Sequence, residues 1–83
     1  MSKAKDEAKD EARREFKAIV NYGLDKCRWT KEEIAIKLNM CPATFYNKLK
    51  APENFRVGEL RKLENFLQLD HEKIDKIIDI MAA

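Results

Sequence analysis

An all-α fold, a compact bundle of about five helices with a long first helix, follows from three features of this 83-residue chain. Two glycines and two prolines are too few turn formers for a many-stranded β architecture. Apolar residues recur three and four positions apart along most of the length, which is the period of a helix face. Helix starts and stops fall between those stripes: a Thr-x-x-Glu box, an Asn between two short runs, and a Pro opening the next. With 45% hydrophobic and 39% charged residues, the chain can bury one core and solvate the rest as a single small domain.

The first element is expected over residues 4–26. Its face begins as Ala4, Ala8, Ala12 and Phe16 and continues through Ile19, Val20 and Leu24, weakly apolar at first and strongly so later. Residues 1–15 are therefore read as a charged helical extension that alanines alone anchor poorly. Thr30 and Glu33 supply a capping box for a second helix over 31–38, with Trp29 and Ile34 placed for a hydrophobic staple. Ile34, Ala35 and Leu38 are its buried side, and Asn39 suits the left-handed residue that ends it. Pro42 fits the first position of a third helix, with Cys41 as a weak N-cap. Phe45 and Leu49 face inward, and the helix must stop before Pro52. Val57, Leu60, Leu63, Phe66 and Leu67 mark a fourth helix. Asp70 caps a fifth, whose apolar stripe is Ile74, Ile77, Ile78 and Met81.

Several function classes find no support. No apolar run approaches a membrane span and no signal-peptide pattern opens the chain, so a cytoplasmic location is expected. Cys27, Cys41 and the single His71 lie at no zinc-ligand spacing; two reduced thiols and no metal or cofactor are expected. Carboxylates are many but sit in solvated helical patterns, without a Gly-rich phosphate loop, so no enzyme is expected. Charge is segregated. Residues 26–62 carry nine Lys or Arg against four Asp or Glu, whereas residues 63–83 carry two against five. A basic middle segment points to a polyanionic partner.

The third helix is short, about nine residues or roughly 13 Å, close to the roughly 12 Å width of a DNA major groove. Two short helices separated by Asn39 form a helix-turn-helix candidate. The arrangement Ile34-Ala35-x-x-Leu38-Asn39-Met40-x-x-x-x-Phe45, continued by TFYNKLKAPENFRVGELRKLENFL, resembles the Cro/lambda-repressor-like (XRE-type) helix-turn-helix family over residues 16–69. Asn39 stands where that family usually has Gly, and Lys48 where it usually has an apolar residue, leaving the inward role to Leu49.

The resemblance implies a DNA-binding domain over 16–69, with residues 70–83 closing the core or dimerising. It implies base contacts from Pro42, Ala43, Tyr46, Asn47 and Lys50, with Asn47 suited to a bidentate bond with adenine. Phosphate contacts are expected from Lys31, Cys41, Thr44, Lys48, Asn54 and Arg56. Such modules commonly bind paired half-sites as dimers, and Ile74, Ile77, Ile78 and Met81 are the interface candidates. The function implied is a sequence-specific transcriptional regulator, a small phage or mobile-element repressor in a bacterial cell. The competing expectation is a protein-binding adaptor or antitoxin-like subunit that uses the same fold and acts through a regulatory protein partner.

Overall fold

In the computed structural model the backbone is described for residues 3–82 and the side chains for residues 7–81. The expectations placed on Ala4, on the first two residues and on the chain's last residue lie outside that description. Five α-helices and no strand make up the described residues: α1 (Lys3–Cys27), α2 (Lys31–Lys37), α3 (Pro42–Lys50), α4 (Val57–Leu67) and α5 (His71–Ala82). A single 3-10 turn, Pro52–Asn54, joins α3 to α4.

Helix α1 is the spine. Ala12, Phe16, Val20 and Leu24 recur every four residues and are all buried, so packing begins within residues 1–15 and not only at Phe16. Arg13 extends this contact, its guanidinium lying 3.1 Å from Glu53 Oε2 on the 3-10 turn. Gly23 is where the α4–α5 connection crosses α1: a Cβ there would lie 2.9 Å from Leu69 Cδ2 and 3.0 Å from Leu67 Cβ. Only a residue without a side chain admits so close an approach.

Three helix ends share one construction. Arg28, Asn39 and Gln68 adopt left-handed φ values of 59°, 58° and 54°, and none is glycine. The residue after each donates its backbone N–H back to a carbonyl five positions earlier. These bonds are Trp29 to Leu24 at 2.9 Å, Met40 to Ala35 at 3.0 Å and Leu69 to Glu64 at 2.9 Å. Trp29, Met40 and Leu69 also pack against the core, the apolar contact that accompanies this type of helix end. Burying these side chains offsets the left-handed cost that Arg28 and Gln68 bear.

The N-terminal ends follow local chemistry. Thr30 Oγ1 accepts from Glu33 N–H and Glu33 Oε1 accepts from Thr30 N–H, both at 3.1 Å, so the box over α2 is closed. Glu59 Oε1 accepts from the Arg56 N–H at 2.9 Å at the start of α4, and Asp70 Oδ1 accepts from Glu72 N–H at 3.0 Å at the start of α5.

The core holds α3 firmly. Phe45 and Leu49 are buried, and Phe45 meets Phe55 edge-on at 6.2 Å between ring centres. Phe55 in turn lies 5.7 Å from Phe16, which links α3 to the spine. Fully burying two such side chains stabilises by about 1.5–3 kcal/mol each, enough to fix a helix too short to persist alone.

One stripe differs from expectation, and another takes the core-closing role of the two expected for it. Val57 is 68% exposed: as the first residue of α4 it precedes the turn that packs, and the buried residues of that helix are Leu60, Leu63 and Leu67. Ile74, Ile77 and Met81 are 1%, 2% and 6% exposed within this one chain, because α5 lies along α1. They have almost no area left to offer a second copy. Ile78 is half-buried, and Ile80 is the exposed isoleucine of α5.

Candidate nucleic-acid interface

Successive residues of an α-helix turn by about 100°, so Ala43, Asn47 and Lys50 fall within about 60° of one another on α3. All three are exposed, while Phe45 and Leu49 point to the core on roughly the opposite side. α2 lies against α3, and the connection through Leu38, Asn39 and Met40 is tight. The expected outward face therefore exists, but it is narrower than the candidate residues suggested.

Tyr46 and Lys48 flank that stripe and are engaged elsewhere. The Tyr46 hydroxyl donates to Glu32 Oε1 at 2.7 Å, and the Lys31 ammonium lies 5.6 Å from the centre of its ring. This bond holds the Glu32 carboxyl below its ordinary range and the Tyr46 phenol above its own. Tyr46 is a half-buried strut between α3 and α2. Lys48, a phosphate-contact candidate, is engaged within the chain. Its Nζ lies 2.8 Å from Glu59 Oε1, with side chains only 18% and 22% exposed, and 5.9 Å from the Phe55 ring centre. Burial pushes the Glu59 carboxyl up, but the Arg56 N–H and the Lys48 ammonium outweigh it and leave the group below its ordinary value. Lys48 therefore ties α3 to α4.

The remaining candidates sort by exposure. Pro42 and Thr44 are half-buried, and Cys41, Asn54 and Arg56 are exposed. Cys41 Sγ and Thr44 Oγ1 are 3.1 Å apart, and that bond lowers the Cys41 thiol pKa. The thiol occupies the N-cap of α3 without capping a backbone N–H. Lys31 is half-buried and lines a cleft of about 210 Å3 with Lys17, Tyr46, Leu49 and Lys50. Lys17 had no signal in the sequence: it is one cation among many on α1, and only the packing of α1 beside α3 brings it here.

A metal site has weak grounds. Among the described residues, the one group of three possible ligands is Glu64, His71 and Asp75. Glu64 Oε2 lies 2.9 Å from His71 Nδ1, and Asp75 Oδ2 lies 3.0 Å from Nε2. The carboxylates address different ring nitrogens, and one donor atom from each of the three residues lies within 4.8 Å of the others. The arrangement suits an imidazolium clamped between two acids, and its pKa is raised, first by the hydrogen bond to Glu64 and then by the charges of Glu64 and Asp75. No described helix is long and apolar enough to cross a membrane. No protein-family model, curated protein or solved structure matches this chain.

Proposed function

We propose that this chain is a sequence-specific double-stranded DNA-binding regulator of the Cro/lambda-repressor-like helix-turn-helix kind, a small phage or mobile-element repressor. In this reading α3 enters the major groove while α2 crosses the backbone beside it. The observation that carries it is the stripe of Ala43, Asn47 and Lys50, exposed on a nine-residue helix whose other side is anchored by Phe45 and Leu49. Asn47 reads adenine through its amide, Ala43 meets a thymine methyl, and Lys50 reaches a base or phosphate. Arg56 and Lys31 hold the backbone. The protein acts in the cytoplasm as a homodimer on paired half-sites, with Ile78 and Ile80 as the α5 apolar surface still available for contact.

The test is selection of bound duplexes from a random pool, followed by Asn47→Ala on the selected site. The variant should lose about 1–3 kcal/mol there and relax preference at one or two base pairs. Unchanged affinity and preference would remove Asn47 from the readout. A protein-binding adaptor or antitoxin-like subunit is the second reading, favoured by an apolar groove of about 360 Å3 between α1 and the α4–α5 connection. Tyr22, 70% exposed, lines that groove with Ile19 and Leu69. Under that reading the pool yields no enriched sequence.

A further inference from the structure

We infer that Lys17 of α1, Lys31 of α2 and Lys50 of α3 together form a seat for one backbone phosphate of duplex DNA, an assignment that rests on the DNA-binding reading above. The three line a single cleft of about 210 Å3 whose other walls are Tyr46 and Leu49. No carboxylate lines it. The nearby Glu32 is held at the Tyr46 hydroxyl by the 2.7 Å hydrogen bond. The backbone of each lysine is held by a different packed element: Lys17 follows buried Phe16, Lys50 follows buried Leu49, and Lys31 opens the helix that the Thr30 box caps.

The chemistry of the walls matters as much as the charge. The ring of Tyr46 and the side chain of Leu49 give apolar surface along which lysine stems can lie while their ammonium groups stay in water. Three like charges around one hollow repel each other, and an oxyanion between them turns that repulsion into attraction. The three lysines border one cleft rather than an extended groove, which is why a single phosphodiester group is assigned to it. Lys50 belongs both to the cleft and to the exposed stripe, so a phosphate seated here fixes how Asn47 meets the bases. Lys17 enters no base-reading surface, and its role is purely to hold the backbone.

The experiment measures binding of the full chain to the selected duplex and to a random duplex across a salt series, by fluorescence anisotropy. Lys17→Ala should weaken both duplexes alike, by about threefold or more at low salt, because a phosphate contact carries no sequence information. Lys17→Arg should restore most of that loss, and Lys73→Ala, at the separate apolar groove, should leave binding unchanged. Since log affinity against log salt has a slope of about −0.9 per neutralised phosphate, the triple variant should lose only about 0.9 of slope. A loss near 2.7 would mean three separate phosphates and overturn the single seat. Lys17→Ala that matches Lys73→Ala at every salt overturns the role of Lys17 while the DNA-binding reading stands. A wild-type chain that binds neither duplex overturns both. Circular dichroism on each variant separates lost binding from lost folding.

Discussion

Replacing Lys48 with methionine separates a residue that holds α3 from one that would touch DNA under the proposed function. Methionine keeps most of the apolar length over Phe55 and removes the charge that lies 2.8 Å from Glu59. A partly exposed ion pair of this kind contributes about 0.5–1 kcal/mol, and the ammonium over the ring adds about 0.5 kcal/mol. Glu59 keeps its bond to the Arg56 N–H, so the loss does not grow into that of an orphaned buried charge. The expected outcome is a fall of about 1 kcal/mol in unfolding free energy by urea titration, or about 4–8 °C in Tm for a domain of this size. A double-mutant cycle with Glu59→Gln should return a coupling of about 0.5–1 kcal/mol. The folded pKa of Glu59 is depressed, so its contribution is present above the unfolded value, about 4.3, and is lost as pH falls through the folded value. The coupling should accordingly hold from pH 7 to about pH 5 and vanish in stronger acid. DNA affinity and salt slope should stay within about twofold of wild type, since Lys48 makes no phosphate contact in this arrangement. Full stability with a flattened salt slope would refute the reasoning and return Lys48 to the DNA surface.

Other perturbations probe the helix ends. The raised pKa of His71 means that the folded state binds its proton more tightly than the unfolded chain does. The resulting stability is complete below the unfolded value, about 6.5, and is lost as pH rises through the folded value. Thermal midpoints should therefore decline across that window in wild type and not in His71→Gln; parallel curves would show that Glu64 and Asp75 do not clamp the ring. Gln68→Gly should raise stability by about 0.5–1 kcal/mol in urea, because glycine relieves the left-handed φ of 54°. A drop in stability would mean that the Gln68 side chain makes a contact worth more than that relief.

Local chemistry made much of the fold legible. The Thr30–Glu33 box, the left-handed Asn39 and Pro42 at the start of α3 are each settled by neighbours within a few residues, and each stands where its pattern placed it. Arg28 and Gln68 were not legible as left-handed ends, since neither residue favours that conformation. Their signal lay one position later, in the large apolar residues Trp29 and Leu69, whose burial depends on tertiary packing. The same limit applied at the candidate site. Tyr46 and Lys48 sit at the margins of the exposed arc of α3, and nothing within that helix says that Glu32 and Glu59 wait on its neighbours. The isoleucine stripe of α5 read as either core closure or a dimer surface, because its partner, α1, lies some sixty residues away along the chain.

Charge shows most sharply why the site had to be assembled in space. The basic excess of residues 26–62 suggested a polyanion partner, yet not every cation in that stretch is free: Lys48 pairs with Glu59, which the balance already counts, and Lys37 lies 5.8 Å from the Trp29 ring centre. Conversely, Lys17 belongs to residues 1–25, where six cations face six anions and the balance is zero. Packing brings it beside Lys31 and Lys50, so the cleft next to the exposed stripe is more basic than either stretch of sequence suggests. An anion approaching α3 feels chiefly the charges within a Debye length of about 8 Å. The chain's net charge of +2 therefore says little about the strength of this surface, and its salt dependence should follow the few lysines around α3.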